Sequence, residues 1–327
     1  GGIPSGVTFG SARADRWCEF AMFQKRAALS GVTWLLFFAG ALVNPHTAAS
    51  DDAEPDLSRP AAVPDLVQGQ PAPPLRRMDE LTTLLAELRQ PGPSDQAPLK
   101  IVLCASEKDP GHRDPGFHDY PLWRERWAGL FREVKGVTVE TADRWPTTEQ
   151  IASADVVVFY HDNPAWDPQK AEDLDRMLER GAGLVFLHWS INAYRDFDPL
   201  AARLGKAWGS GANFRQGPLA LRFIDHELTH GLGPEEHFVD EPYGNLPGPG
   251  GDLQVLAVSP EADGPQPQVW LRTVSDGRIF VCLPGHFTWT LDDPLYRWLV
   301  FRGICWAAHQ PLGRLNPAVL RGARVVP

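Results

Sequence analysis

Gly183-Leu184-Val185-Phe186-Leu187-His188-Trp189-Ser190 decides how the rest of the chain is read. Leu184 to Leu187 are apolar without alternation, so the strand they form is expected to be buried on both faces, as in the centre of a parallel sheet. The run stops abruptly at His188, with Ser190 and Asn192 close behind. Open α/β sheets bind ligands outside the carboxyl ends of their strands, which puts His188 where chemistry is expected.

Upstream, strands and helices alternate. Lys100–Ala105 reads as a strand, and a long polar loop then runs to Pro121. Leu122, Trp123, Trp127, Leu130, Phe131 and Val134 recur at helical spacing. Val137–Val139 is a second strand, and Thr147–Ala152 a short helix with a Thr-x-Glu start. Asp155–Tyr160 is a fully apolar strand ending at His161, and Pro168–Arg180 a helix with Pro at its start and Gly181 past its end. This rhythm predicts an α/β fold: a mostly parallel central sheet with helices on both faces, flavodoxin-like in class. Downstream, Pro218–Ile224, Leu253–Ser259, Val269–Ser275 and Arg278–Leu283 read as antiparallel additions near one edge, with Asp276-Gly277 as a hairpin turn. Leu295–Ala308 closes the domain as a helix, and Pro311–Pro327 is expected to trail off.

Ahead of the folded part, Met22–Arg26 is positively charged, Ala27–Val43 carries no charge, and Thr47-Ala48-Ala49 is small. These are the three parts of a secretory signal, so 22–49 is expected to direct export to the periplasm or the medium. Ser30, Gly31, Thr33 and Gly40 dilute the run below what a spanning helix wants, and membrane attachment is expected only if the segment stays uncleaved. Residues 1–21 fit no part of the signal and are expected to precede the true start. Residues 50–98 are rich in Pro, Ala, Asp and Gln and read as a tether, with one amphipathic helix over Met78–Leu88. The domain proper is expected to span 99–319, with 320–327 as a tail.

A net charge of −10 with no basic stripe argues against a nucleic-acid partner. Four cysteines are too few for a disulfide scaffold; Cys104, Cys282 and Cys305 sit in apolar patterns and are expected as buried thiols. Twelve Trp suit an aromatic cleft for a sugar or another polar ring.

The strand ends carry the polar residues. The loop after the first strand holds His112 and His118, the next apolar strand ends in His161, the central one in His188, and the last in Pro284-Gly285-His286-Phe287-Thr288-Trp289. If these strands are parallel, five of the ten histidines gather at one edge. Asp240-Glu241-Pro242-Tyr243 is a second polar element; folded over that edge, Glu241 or Asp240 becomes a base or the orienting partner of an imidazole. Asp225–His230 reads as a surface turn. His112, His118 and Asp119 with His188 or His286 are suitable metal ligand types, but no tight His-x-His or His-x-x-x-His specifies a metal, so zinc stays open. No glycine-rich phosphate loop opens the first helix, and no nucleotide cofactor is expected. The absence of a Gly-x-Ser-x-Gly elbow speaks against a serine hydrolase.

From about Leu99 to Val319 the chain resembles the ThuA-like (trehalose utilisation) family, whose fold is similar to class I glutamine amidotransferases. The matching features are the loop ending in His118-Asp119-Tyr120, the Gly183–His188 strand end, and Asp240-Glu241 with Tyr243. Gly285–Trp289, Asp292-Asp293-Pro294 and the Arg302–Ala307 helix also fit. In amidotransferases the equivalent strand end carries a nucleophilic Cys; His188 holds that place here, so thioester chemistry is not expected. The resemblance implies carbohydrate metabolism, on keto-sugars or glycosides. The leading expectation is an exported enzyme using general acid–base chemistry, with His188, Glu241 and His286 catalytic. His112, His118, His161, Trp189, Asp240, Tyr243 and Trp289 would bind a small carbohydrate, Trp189 or Trp289 stacking on its ring. A non-catalytic carbohydrate-binding module and a zinc-dependent hydrolase are the alternatives.

Overall fold

The computed structural model describes residues 56–89, 97–108, 114–162, 166–194 and 196–327. The chain divides into two units, Gly1–Asp51 and Asp52–Pro327, and every described residue belongs to the second. The signal-like stretch and His112 lie outside the described residues.

In chain order the elements begin with β1 (Leu66–Val67), β2 (Gln70–Pro71), β3 (Arg76–Arg77) and α1 (Thr82–Leu88). The doubly wound half follows: β4 (Leu99–Ala105), α2 (Tyr120–Arg132), β5 (Val137–Asp143), α3 (Thr148–Ser153), β6 (Val156–Tyr160), α4 (Pro168–Glu179) and β7 (Gly183–Leu187). Then come α5 (Asp198–Leu204), β8 (Asn213–Phe214), β9 (Gly217–Phe223), β10 (Glu235–Asp240), β11 (Tyr243–Gly244), β12 (Gln254–Glu261), β13 (Gly264–Val274) and β14 (Gly277–Cys282). The chain closes with α6 (Thr288–Leu291), α7 (Pro294–Ala307), α8 (Asn316–Val319) and β15 (Val325–Val326).

A nine-stranded sheet runs β10-β9-β12-β13-β14-β7-β6-β4-β5. The five strands from β14 to β5 are parallel, and the four from β13 to β10 extend the sheet antiparallel. Every residue of β6 and β7 is buried, as their unbroken apolar runs require. One face is covered by α2 and α7 and the other by α3, α4 and α5, so two cores sandwich the sheet. At Gly303 of α7 a Cβ would come within 2.6 Å of the Phe280 ring, so glycine sets how close this helix lies to β14. No helix among the described residues is long and apolar enough to cross a membrane.

Five readings change. The strand expected over Arg278–Leu283 as an antiparallel addition is antiparallel only to β13 and runs parallel to β7, so it belongs to the parallel half of the sheet. The short helix α3 is capped by Thr147, but Gln150 and not Glu149 closes the box, accepting from the Thr147 N–H at 3.0 Å. The stretch leading to Asp240, to which no strand is assigned above, contains the edge strand β10, whose charged start Glu235-Glu236-His237 hid the alternation. Residues 56–89, read as a tether, lie on the domain: Val67, Leu81 and Leu84 are buried, and Arg76 donates to Asp293 at 2.8 Å. The expected tail also folds, burying Leu315, Val319 and Ala323 and pairing β15 with β3 in parallel. As expected, the Asp225–His230 turn is local, closed by Thr229 and His226.

Candidate active site

Three segments bring imidazoles to one point beyond the carboxyl ends of β4, β7 and β14. His188 is the first residue past β7 and takes a φ of +51°, a left-handed conformation rare outside glycine. His118, in the loop after β4, shares it with a φ of +46°. Such positions cost about 1–3 kcal/mol each and persist only where the surroundings enforce them. His286 follows Gly285, where φ is +138° and a Cβ would stand 3.1 Å from the Tyr296 hydroxyl and 3.4 Å from the His188 Cβ. The two loops are stitched together: the His118 N–H donates to the His286 carbonyl at 3.0 Å and the Thr288 N–H to the Gly116 carbonyl at 2.8 Å. Asp119 is spent on this loop, accepting from the Gly116 N–H and the Thr288 hydroxyl.

The ring nitrogens meet closely. His118 Nε2 lies 2.9 Å from His188 Nε2 and 3.1 Å from His286 Nδ1, and the last two are 3.3 Å apart. Neighbours set two of the tautomers. His188 Nδ1–H donates to the Leu283 carbonyl at 2.9 Å, and His286 Nε2–H to Gln68 Oε1 at 2.7 Å. Both rings therefore turn a lone pair toward His118 Nε2. Two nitrogens bound to one ion at about 2.0–2.1 Å stand roughly 2.9–3.4 Å apart for bond angles between octahedral and tetrahedral. The three imidazoles are spaced as ligands of one metal ion and form the group with that capacity found among the described residues. Without an ion, a single proton on His118 Nε2 can bridge the other two rings.

Glu241 completes the cluster, with Oε1 3.8 Å from His188 Nε2 and Oε2 3.5 Å from His286 Nδ1. Gln216 Nε2 donates to Glu241 Oε2 at 2.9 Å. Burial, with a smaller push from Asp240, raises the Glu241 pKa to about 7 against the bonds from Gln216 and Tyr243. Burial has the opposite sign for an imidazole and lowers His188 to about 3, which the Leu283 bond offsets only in part. Asp240 does not touch a ring. Its Oδ1 accepts from the N–H groups of Glu241, Gly285 and His286 at 2.7, 3.0 and 3.1 Å, clamping together the segments that present Glu241 and His286. Burial pushes its pKa up, opposed by those bonds.

The structure thus brings together His118, His188, His286, Glu241, Asp240 and Tyr243. The Tyr243 hydroxyl lies 3.1 Å from His188 Nε2 and 3.2 Å from His188 Nδ1. It separates two others. His161 is buried against Phe159 and Trp145, on the core that covers the other face, and neither ring nitrogen has a partner among the described residues. Trp289 is buried too, stacked on Phe287 at 4.4 Å and donating to the Val239 carbonyl, so it offers no face to a sugar. Trp189 is half-buried beside Tyr243. Gln68 and Gln216 escaped sequence reading. Gln68 sits at the tip of the β1–β2 hairpin with φ +49°, followed by Gly69 at +77°, and only that turn was legible in Gln68-Gly69.

A doubly wound α/β domain with a buried three-histidine, one-glutamate cluster at its strand ends defines the class. The ThuA family, described as trehalose utilisation, matches residues 124–307, more than half of the chain. The chain belongs to that family, and membership supports a role in carbohydrate metabolism. In fold it is similar to a ThuA-like protein from Parabacteroides merdae, at 16% identity and a TM-score of 0.51 over 64% of this chain and 90% of that one. A ThuA-like protein from Bacteroides uniformis is similar at 16% identity and TM-score 0.51 over 68% and 98%. No curated protein matches the chain in sequence.

Proposed function

We propose that the protein is an enzyme of carbohydrate metabolism in which His118, His188 and His286 hold one divalent transition-metal ion and Glu241 carries the proton. The observation behind this reading is the convergence of three imidazole nitrogens within 2.9–3.3 Å, two of them with tautomers that turn lone pairs inward. A bound ion would polarise a carbonyl or hydroxyl oxygen of a keto-sugar or glycoside. Glu241 lies against the same cluster, at 3.5 and 3.8 Å from two of its rings, and would face a proton on the carbon next to that oxygen. It takes that proton and returns it to the neighbouring carbon, giving isomerisation, or hands it to the departing oxygen if a group is expelled from that carbon, giving elimination. Gln216 holds one carboxylate oxygen, and Gln68 holds the His286 ring. The signal-like pattern of residues 22–49 supports export, under which the reaction would take place outside the cytoplasm.

Metal content of purified wild type and His188→Ala is the first measurement, followed by turnover of keto-glycosides by wild type and Glu241→Gln. The expected result is one ion per chain that His188→Ala loses, and a fall of about 10²–10⁴ in turnover for Glu241→Gln with its metal retained. Full activity after exhaustive chelation would leave proton chemistry alone. Sugar binding without turnover would leave a binding module.

A further inference from the structure

We infer that Trp189, Trp208, Phe214 and Tyr194, with Asp162, form a subsite for an uncharged sugar ring that does not itself react; the role of this subsite in turnover rests on the sugar chemistry proposed above. Tyr243 connects it to the histidine cluster. Its ring is 5.1 Å from that of His188 on one side and 5.0 and 6.1 Å from those of Trp208 and Trp189 on the other. Trp189 and Trp208 stand 5.0 Å apart, and Trp208 continues to Phe214 at 6.1 Å. The backbone fixes this order. The Trp208 N–H donates to the Ile191 carbonyl in the turn that follows His188, and Phe214 pairs with Tyr243 between β8 and β11.

Trp189 and Trp208 pack against the core that contains Tyr243, and exposure grows outward from it. Trp189 and Trp208 are half-buried, while Tyr194 is 43% and Phe214 55% exposed. They are two of the five large hydrophobic side chains exposed among the described residues, and both lie on this one wall. A path of aromatic faces therefore leads from solvent to the buried imidazoles. Asp162 sets its polarity, since one carboxylate oxygen accepts from Trp189 Nε1 at 3.0 Å and from the Tyr194 hydroxyl at 2.6 Å. Aromatic faces take the C–H face of a sugar ring, and a carboxylate accepts its hydroxyls while repelling a phosphate. The chemistry that fits is a neutral glycosyl group, so the substrate has at least two rings, one at the metal and one on this wall.

The test is tryptophan fluorescence titration of the metal-loaded protein with maltose, trehalose and trehalose 6-phosphate, alongside turnover of one-ring and two-ring keto-sugars. The neutral disaccharides are expected to bind, with the phosphate about tenfold weaker and Asp162→Asn narrowing that gap. Trp208→Ala and Phe214→Ala should each weaken disaccharide binding about tenfold and raise KM for the two-ring substrate only, with metal content unchanged. Equal binding of the phosphorylated and neutral sugars, or binding that ignores both aromatic substitutions, would overturn the subsite. Selective binding without turnover would leave the subsite standing and remove the proposed reaction. Turnover equally impaired on one-ring and two-ring substrates would overturn the subsite and leave the reaction standing.

Discussion

His161 and His188 each follow a neighbouring parallel strand, β6 and β7, and burial drives both rings well below the ordinary imidazole range. Their company differs. His188 meets two other imidazoles and a carboxylate, whereas His161 meets the rings of Phe159 and Trp145, with Lys170 the charged group that depresses it further. From sequence the two look alike, because strand-end position is legible while the direction a ring takes after the last strand residue is not. The left-handed φ of His188 turns the chain at the strand end; His161 has no such turn. His161 lends itself to a pH measurement, because its folded pKa is about 4 against 6.5 unfolded. Above pH 6.5 both states are neutral and its contribution is whole. As pH falls from 6.5 to 4 the unfolded chain takes a proton that the fold refuses, and up to about 3 kcal/mol of stability is lost. Urea unfolding of wild type across that window should show this slope, and His161→Phe should flatten it by a corresponding part. Parallel slopes for the two proteins would mean that the ring is protonated in the fold.

At the scale of elements, the site depends on loops held by a single carboxylate. Asp240 ends the edge strand β10 and receives three backbone N–H groups from two different segments. Its position beside Glu241 was visible in the sequence, but its task was not, since its partners at 285 and 286 lie more than forty residues away. The edge strand was missed for a related reason: charged residues that protect a sheet edge also erase the alternation that announces a strand. Asp240→Ala leaves three buried donors without an acceptor, at about 1–3 kcal/mol each before relaxation. The melting midpoint should fall by about 5–10 °C, and the metal content of the survivor should fall with it. Asp240→Asn keeps a carbonyl oxygen in place and should lose less on both counts. Identical midpoints for the two variants would show that charge, and not the acceptor, matters there.

For the molecule as a whole, the parallel half was readable because β4, β6, β7 and β14 each carry an apolar run of their own, and the alternating edge strand β5 follows a clear helix. The segment before β4 was not, because its strands are two residues long and mean nothing until their partners are known. Those partners are distant. β3 pairs with β15 at the far end of the chain, Arg76 reaches Asp293, and the Ala61 N–H and the Arg126 guanidinium both bind Asp292, which also pairs with Arg297. Its buried Val67, Leu81 and Leu84 are worth about 1.5–3 kcal/mol each, and its hairpin tip supplies the Gln68 amide that fixes the His286 ring. This segment is therefore part of the folded domain, although the family match begins only at residue 124. A protease site inserted between residues 90 and 96 tests this directly. After complete cleavage the two pieces should elute together in gel filtration and separate only in denaturant. Because Gln68 leaves with the smaller piece, the separated and refolded large piece should hold metal about 10–100-fold more weakly in chelator competition. Pieces that part in plain buffer, with metal affinity unchanged, would return the segment to the status of a linker and take Gln68 out of the site.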